Sequence, residues 1–316
     1  MLKFLKRFGK ILLFVILAVL LVNAFPANDA IAVNSFMKDD ATPLVASQSG
    51  CGSDYPANVM AAFNAASSYG VMYFSFGVVM TADEKLIVAD TDDLNAYTSS
   101  SGKISETNYD QISTLNFAYT YQDADGNYPY RSQVLPCVTV DELFQSFPYS
   151  NFVITINMQG DAGKRAAVLL CELIRENDLS TRVTIVGDDT ITNYVRTQTN
   201  VNVLTAPMNR ELSAYQHFHA VRLDHLYLNV NFQLVQISAN DVNYFTKNLI
   251  RSLQDRNVSV FMSDVNDEST YNLAKKMSVD GIITDKPELI EQLISTDSEL
   301  TDSSGSDQTD STDTGN

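Results

Sequence analysis

The stretch Ser278-Val-Asp-Gly-Ile-Ile-Thr-Asp-Lys-Pro287 anchors the interpretation of the fold. Its β-branched centre predicts a strand over residues 281–284, and a helix after Pro287 closes the domain. Upstream, short β-branched runs alternate with amphipathic segments, which is the pattern of a parallel α/β sheet. The other predicted strands are residues 44–47, 73–80, 86–88, 152–157, 183–186, 201–204, 226–230 and 258–262.

The connections between these strands favour a barrel. Helices are predicted over residues 58–69, 162–177, 241–256 and 268–277, and no glycine-rich dinucleotide fingerprint accompanies them. Roughly eight strands with intervening helices favour a closed (β/α)8 barrel of the TIM type over a doubly wound sheet. A chain of 316 residues with 45% apolar residues suits one such domain with appendages.

The two ends of the chain lie outside the predicted domain. Four basic residues followed by an apolar run over 11–22 predict an export signal in residues 1–25, either retained as a membrane anchor or cleaved so that the protein is secreted. Residues 26–43 read as a linker, with packing on the barrel floor as the alternative. The barrel is assigned to residues 44–295, and residues 296–316 to a disordered acidic Ser/Asp/Thr tail.

Charge and cysteine content exclude several functional classes. The 38 acidic and 21 basic residues give a formal net charge of -17, which disfavours nucleic acid as a partner. Cys51, Cys137 and Cys171 are widely and irregularly spaced and predict small core residues rather than a disulfide framework or a metal site, with a reactive thiol at Cys51 as the alternative.

Several motifs together resemble the glycerophosphodiester phosphodiesterase family. The stretch 278–287 is similar to its closing Gly-Val-Asp-Gly-Ile-Ile-Thr-Asp-x-Pro strand, and Val265-Asn266-Asp267 to the end of its Trp-Thr-Val-Asn strand. Pro56-Ala57-Asn58 stands where the family has Pro-Glu-Asn-Thr, and residues 138–144 resemble a helix start that precedes its Ile-Glu-Ile-Lys strand. The resemblance implies a barrel like those of the phosphatidylinositol-phosphodiesterase type.

The resemblance also implies where acid/base and phosphate-binding groups should stand. The family's His-Arg-Gly loop falls on Gln48, Ser49 and Gly50, and its second catalytic histidine falls on Asp90. Its phosphate-facing lysine falls on Gln159. Glutamine exchanges no proton near neutral pH, and neither serine nor glutamine carries a charge to hold a phosphodiester.

The resemblance also implies a divalent cation, Mg²⁺ or Ca²⁺, but the residues at its expected ligand positions are unsuitable for binding it. Its three carboxylate ligands fall on Ser75, Gly77 and Asn157. Hard cations need several oxygen ligands, most of them carboxylates, so we expect no cofactor. A neutral polar pocket for a small polyol or glycerophosphodiester-like ligand is predicted from Gln48, Ser75, Asp90, Asn157 and Gln159.

These expectations define three functional hypotheses. The first is an exported, membrane-tethered barrel that has lost its metal and acid/base residues and acts as a binding or scaffolding pseudoenzyme. The second is an active phosphoric diester hydrolase with a rearranged site centred on Asp90, and the third is a protein-interaction module without a ligand; the sequence names no protein partner. His217, His219 and His225 could suggest a zinc site, but ordinary imidazoles on a surface helix or loop are the favoured interpretation.

Overall fold

The structure is a computed structural model that describes residues 2–23, 31–38, 42–52, 55–199, 201–227 and 230–305. Its strands are short, as expected of a barrel wall. They are β1 Leu44–Gln48, β2 Tyr73–Met80, β3 Leu86–Val88, β4 Asn151–Ile156, β5 Val183–Val186, β6 Leu204–Thr205, β7 Leu234–Ser238, β8 Ser259–Ser263 and β9 Gly281–Thr284.

Helices follow most of these strands along the chain. They are α1 Leu2–Asn23, α2 Met60–Ser68, α3 Tyr109–Ile112, α4 Val140–Ser146, α5 Gly160–Glu176, α6 Asp189–Gln198, α7 Asn209–Ala220, α8 Lys247–Gln254, α9 Glu268–Met277 and α10 Pro287–Gly305. Side-chain caps set several of their starts. The Asp267 carboxylate accepts the backbone N–H of Thr270 at 2.8 Å at the start of α9.

The described strands form a nearly closed barrel. Eight of them pair in parallel in the order β6, β5, β4, β2, β1, β9, β8, β7, and β3 pairs antiparallel with β2. The seam between β6 and β7 is bridged by Gln233, whose backbone N–H donates to the Thr205 carbonyl and whose side-chain oxygen accepts the Thr205 N–H, both at 3.0 Å. The predicted TIM barrel is therefore confirmed.

The barrel has two functionally different ends. We call the end at the carboxyl termini of the parallel strands the mouth, and the opposite end the floor. Inward-facing apolar side chains from alternate positions fill the interior, including Ala46, Val153, Leu234 and Ile283. The interior is a packed core, so any site of this barrel is expected at the mouth.

Several segments differ from the sequence-based expectation. Of the strand predicted over residues 226–230, Leu226 ends a 3-10 turn and residues 227 and 230 are not in a strand, whereas residues 228 and 229 lie outside the described residues. Strand β6 begins at Leu204 rather than at residue 201, and α8 covers Lys247–Gln254 rather than residues 241–256. Part of the predicted linker, residues 31–38, packs on the floor, where Phe36 is fully buried. The predicted tail begins too early because α10 continues to Gly305; within it, the Asp297 carboxylate contacts Tyr271 and Lys275 of α9. Residues 306–316 lie outside the described residues.

The cysteine prediction is confirmed by the structure. Cys51, Cys137 and Cys171 are all buried, and none of them forms a disulfide. Burial raises the pKa of the Cys137 thiol to about 12 and that of Cys171 to about 11. The cysteine side chains are therefore core groups. Because Cys51 is fully buried, the structure does not favour the alternative of a reactive thiol at this position.

Candidate functional site

A tight turn leaves β1 at the mouth. Ser49 and Gly50 both have positive φ angles, 51° and 89°. A Cβ atom at Gly50 would lie 2.5 Å from that of Ala62 in α2, so only glycine permits this approach. The Ser49 backbone N–H donates to the Ser75 carbonyl at 2.7 Å, which holds the turn against β2. The turn thereby directs the Ser49 side chain toward the loop after β3.

Asp90 connects the loop after β3 to the loop between β1 and α2 at the mouth. Its carboxylate accepts a hydrogen bond from the Asn58 side-chain amide at 2.7 Å and from the Ser49 hydroxyl at 3.1 Å. The Gln48 amide donates in turn to the Ser49 hydroxyl at 3.3 Å. Asn58 and Ser49 thus both donate to the Asp90 carboxylate, which serves as a hydrogen-bond acceptor in this arrangement.

A buried tyrosine fixes the backbone beside this carboxylate. The Tyr97 hydroxyl accepts the backbone N–H groups of Asp90 and Thr91 at 2.6 and 2.9 Å. The Tyr97 ring stacks on Phe117 with 5.2 Å between ring centroids and 8° between planes. Burial, with a contribution from the Asp90 charge, raises the pKa of Tyr97 to about 12, so the hydroxyl stays protonated at neutral pH. Tyr97 is thus a positioning residue for Asp90.

The space beside Gly77 is already filled by the protein itself. A Cβ atom at this position would lie 2.1 Å from the side-chain nitrogen of Asn157, 2.7 Å from the Ala89 carbonyl and 3.0 Å from an Asp90 oxygen. The Asn157 nitrogen donates to the Ala89 carbonyl at 3.2 Å. Neighbouring strands hold this arrangement, since Gly77 pairs with Thr155 in the ladder between β2 and β4. Strand β2 therefore tolerates no side chain at position 77 in this conformation.

These residues do not fit a divalent cation at the positions that the family resemblance implies. Gly77 offers no ligand, and the Asn157 nitrogen that fills its space is a donor, which cannot coordinate a cation. Ser75 is only 3% exposed and contributes at most a hydroxyl. Within the described part of the chain, no three histidine, cysteine or acidic side chains converge as metal ligands do.

The sequence-based prediction did not include further aspartate side chains at the mouth. Asp285 follows β9, and its carboxylate accepts the Asn266 side-chain amide at 2.9 Å. Burial raises the pKa of Asp285, and the charges of Asp264 and Asp90 add to that rise. The signal was present in the Thr-Asp-Lys-Pro and Val-Asn-Asp motifs, which were interpreted only as markers of the fold. Their carboxylates make the mouth acidic, which disfavours a phosphodiester.

The predicted pocket residues are only partly brought together. Gln48, Asp90 and Asn157 surround the Ser49 turn and Gly77, as the distances above show. Gln159 is exposed at the start of α5, and Ser75 is covered by neighbouring groups. The residues therefore line a shallow polar mouth.

A cavity with a volume of about 1050 Å³ lies elsewhere, beside the β6–β7 seam. Its most prominent charges are paired, because Arg196 donates to Glu211 at 2.6 Å and to the Thr205 hydroxyl at 2.8 Å. We place the candidate site at the mouth because the barrel fold concentrates functional groups there.

The histidines do not form a zinc site in the described residues. His217 and His219 lie on α7, where His217 contacts the carbonyl of its own helix at Ser213, 2.6 Å away. His219 lies 3.1 Å from an Asp224 oxygen. The side chain of His225 lies outside the described residues.

In the same described part of the chain, no helix combines the length and apolar character needed to cross a membrane. The anchor therefore stays a prediction.

The fold and mouth define a (β/α) barrel with a polar, acidic site at the carboxyl ends of its strands. A family model described as the Glycerophosphoryl diester phosphodiesterase family matches residues 49–289. The chain belongs to this family. No curated protein matches it.

Solved structures share the fold at low sequence identity. The glycerophosphoryl diester phosphodiesterase domain of an uncharacterized Mycobacterium tuberculosis protein is 14% identical, with a TM-score of 0.68 over 79% of this chain and 98% of that one. The Parabacteroides distasonis enzyme is 18% identical, with a TM-score of 0.63 over 85% and 94%. An Oleispira antarctica phosphodiesterase in complex with the product sn-glycerol-3-phosphate is 14% identical, with a TM-score of 0.64 over 83% and 98%.

Proposed function

We propose that this chain is an exported, membrane-tethered member of the family that binds a polyol-containing ligand at the barrel mouth without hydrolysing it. The observation that carries the proposal is the Asn157 amide in the space of the missing side chain at Gly77. Position 77 cannot supply a carboxylate to coordinate a cation, and the Asn157 amide occupies the space where such a side chain would lie. The mouth is therefore built for hydrogen bonding rather than for holding a cation.

The ligand class follows from the polar groups at the mouth. Gln48 and Asn157 offer amide groups, and Asp90 offers an acceptor at the solvent-exposed rim. The hydroxyls of sugars and glycerol can donate to and accept from these amide and carboxylate groups. A phosphate group does not match this site, because charge-assisted hydrogen bonds from arginine or lysine supply most of the energy that binds a phosphate.

Saturation-transfer NMR with glycerol and glycerol phosphate tests this proposal. We expect contacts to glycerol that Asn157→Ala removes, with glycerol phosphate bound no more tightly. The matched control is Gln292→Ala, an exposed amide on α10 that should leave the signals unchanged. Binding of glycerol phosphate at least tenfold tighter than glycerol would overturn the proposed ligand class.

A rearranged hydrolase is the second candidate. It is favoured by one observation, the exposed Asp90 carboxylate at the position where the family resemblance implies an acid/base group. The charges of Asp90 and Asp264 also help to raise the pKa of Asp285, so Asp285 lies within their electrostatic reach. Turnover of glycerophosphocholine that depends on Mg²⁺ or Ca²⁺ and disappears in Asp90→Asn would support it. The same protein without turnover would support the binding role.

A protein-contact role is the third candidate. The loop after β3 exposes an aromatic cluster in which the Arg131 guanidinium lies 3.3 Å from the ring centroid of Tyr128 and 4.9 Å from that of Tyr119. Such arginine and tyrosine clusters are typical of protein interfaces. Arg131→Ala should then impair the cellular role of the protein while Asn157→Ala leaves it intact.

A further inference from the structure

The segment before β1 is attached to the barrel floor. The Ile31 N–H donates to the Arg256 carbonyl at 3.2 Å, and the Asn257 amide donates to the Ile31 carbonyl at 2.6 Å. Arg256 and Asn257 precede β8, so both contacts lie at the amino end of that strand. The Ser35 hydroxyl donates to the Thr181 carbonyl at 2.9 Å, just before β5.

Further contacts spread this attachment across the floor. Lys38 donates to the Val279 carbonyl at 2.8 Å, before β9, and the Tyr73 hydroxyl at the start of β2 donates to the Ser35 carbonyl at 2.9 Å. Phe36 is fully buried, with its ring edge-on to Tyr73 at 5.9 Å and to Phe261 at 6.0 Å. Contacts before four different strands fix the point at which the amino-terminal chain leaves the barrel.

The helix that precedes this segment does not use its apolar surface within the described fold. Every side chain in residues 11–17 of α1 is exposed, from 48% at Ile16 to 73% at Phe14. Four basic residues, Lys3, Lys6, Arg7 and Lys10, precede this run in the sequence. An exposed apolar segment with a basic flank fits a lipid bilayer with anionic head groups.

The length of chain between helix and floor limits how the barrel is oriented. Eight peptide steps join Asn23 to Ile31, and at most ~3.6 Å each they span ~28 Å. A domain of this size has a diameter of ~45 Å from its expected radius of gyration. A mouth turned toward the bilayer would place the floor farther from the bilayer than this chain reaches.

We propose that the barrel stands with its floor toward the membrane and its mouth directed away from it. The proposal rests on the membrane tether of the proposed function and deepens its ligand class. A mouth directed outward cannot receive phospholipids of the bilayer that holds the protein. Its ligand is a water-soluble polyol, which approaches from the side opposite the membrane.

Energy transfer to a labelled bilayer tests the orientation on the full chain. Tyr149→Cys places a fluorophore before β4 on the floor side, where the side chain is 80% exposed. Asp161→Cys places the same fluorophore after β4 on the mouth side, where the side chain is 99% exposed. The three native cysteines are buried and should not label.

The labelled proteins are reconstituted into phosphatidylcholine and phosphatidylglycerol vesicles that carry a rhodamine lipid. We expect transfer from position 149 at least about twice that from position 161, because six residues of β4 separate its ends by ~20 Å. Equal transfer, or stronger transfer from position 161, would overturn the orientation. If no energy transfer were observed from either position, both the proposed tether and the proposed orientation would be refuted. The glycerol NMR experiment tests ligand binding separately, because it needs no membrane.

Discussion

Replacing Gly77 by alanine should destabilise the protein although it adds a single methyl group. The new Cβ atom would lie 2.1 Å from the Asn157 nitrogen and 2.7 Å from the Ala89 carbonyl. The amide can rotate away, but the carbonyl cannot easily move, because the Ala89 N–H donates to the Gly77 carbonyl at 2.9 Å. The φ angle of Gly77 is not positive, so steric contact alone sets the cost.

The magnitude of this change in the free energy of unfolding follows from two costs and one offset. Overpacking in a well-filled region costs ~1–3 kcal/mol, and loss of the Asn157 hydrogen bond to Ala89 adds ~0.5–1.5 kcal/mol. Reduced freedom of the unfolded chain offsets ~0.4–1 kcal/mol. We expect Gly77→Ala to lower the free energy of unfolding by about 2–3 kcal/mol.

Urea unfolding followed by far-ultraviolet circular dichroism measures this change. Gly52→Ala is the matched control, since a Cβ atom there would have its nearest neighbour at 3.6 Å, an ordinary contact. In an Asn157→Ala background the cost of Gly77→Ala should fall by about 1 kcal/mol, because one of the two closest contacts is gone. A cost for Gly77→Ala no larger than that of the Gly52 control would refute the claim that Asn157 fills this space.

Three further predictions concern Tyr97, Phe36 and Asp285. Tyr97→Phe removes the acceptor of two backbone N–H groups and should cost about 1–3 kcal/mol in urea unfolding; no change would mean that water replaces the hydroxyl. Phe36→Ala opens the floor and should cost about 3–5 kcal/mol; a thermal midpoint unchanged from the parent would show that the floor segment does not support the barrel. The raised pKa of Asp285 means that the folded state holds this proton more tightly than the unfolded state, so its contribution to stability is present below the ordinary pKa of ~3.9 and is lost as the pH rises through the folded value. Asp285→Asn should therefore stabilise the protein at pH 7 and not at pH 3, and equal effects at both pH values would contradict the assignment.

Much of the fold could be predicted because local sequence and tertiary structure agree. The boundaries of α9 and β9 match the predicted residues 268–277 and 281–284. Among the described residues, the strand predicted over 226–230 fails at Leu226, Tyr227 and Val230, and this failure has a physical cause. Their aromatic and aliphatic side chains favour a strand, but the ring of Tyr227 packs edge-on against Tyr215 of α7 at 5.6 Å. Such a contact between distant segments overrides local preference.

The site was predictable in position but not in geometry. Spacing from the family motifs located Gln48, Asp90 and Asn157, which the structure places around one turn. The overlap of Asn157 with the space above Gly77 depends on the register between β2 and β4, which residue identities alone do not give. Asp285 was missed because its motif was interpreted as part of a strand end and not as a source of charge at the mouth.

Hydrolysis of glycerophosphodiesters by the purified full chain tests the central claim most directly. Glycerophosphocholine is incubated with Mg²⁺ or Ca²⁺ and, in parallel, with chelator, and an active family member is assayed alongside. The account predicts no metal-dependent release of glycerol phosphate, because neither Gly77 nor the Asn157 nitrogen supplies a cation ligand. Metal-dependent turnover that Asp90→Asn abolishes would contradict it.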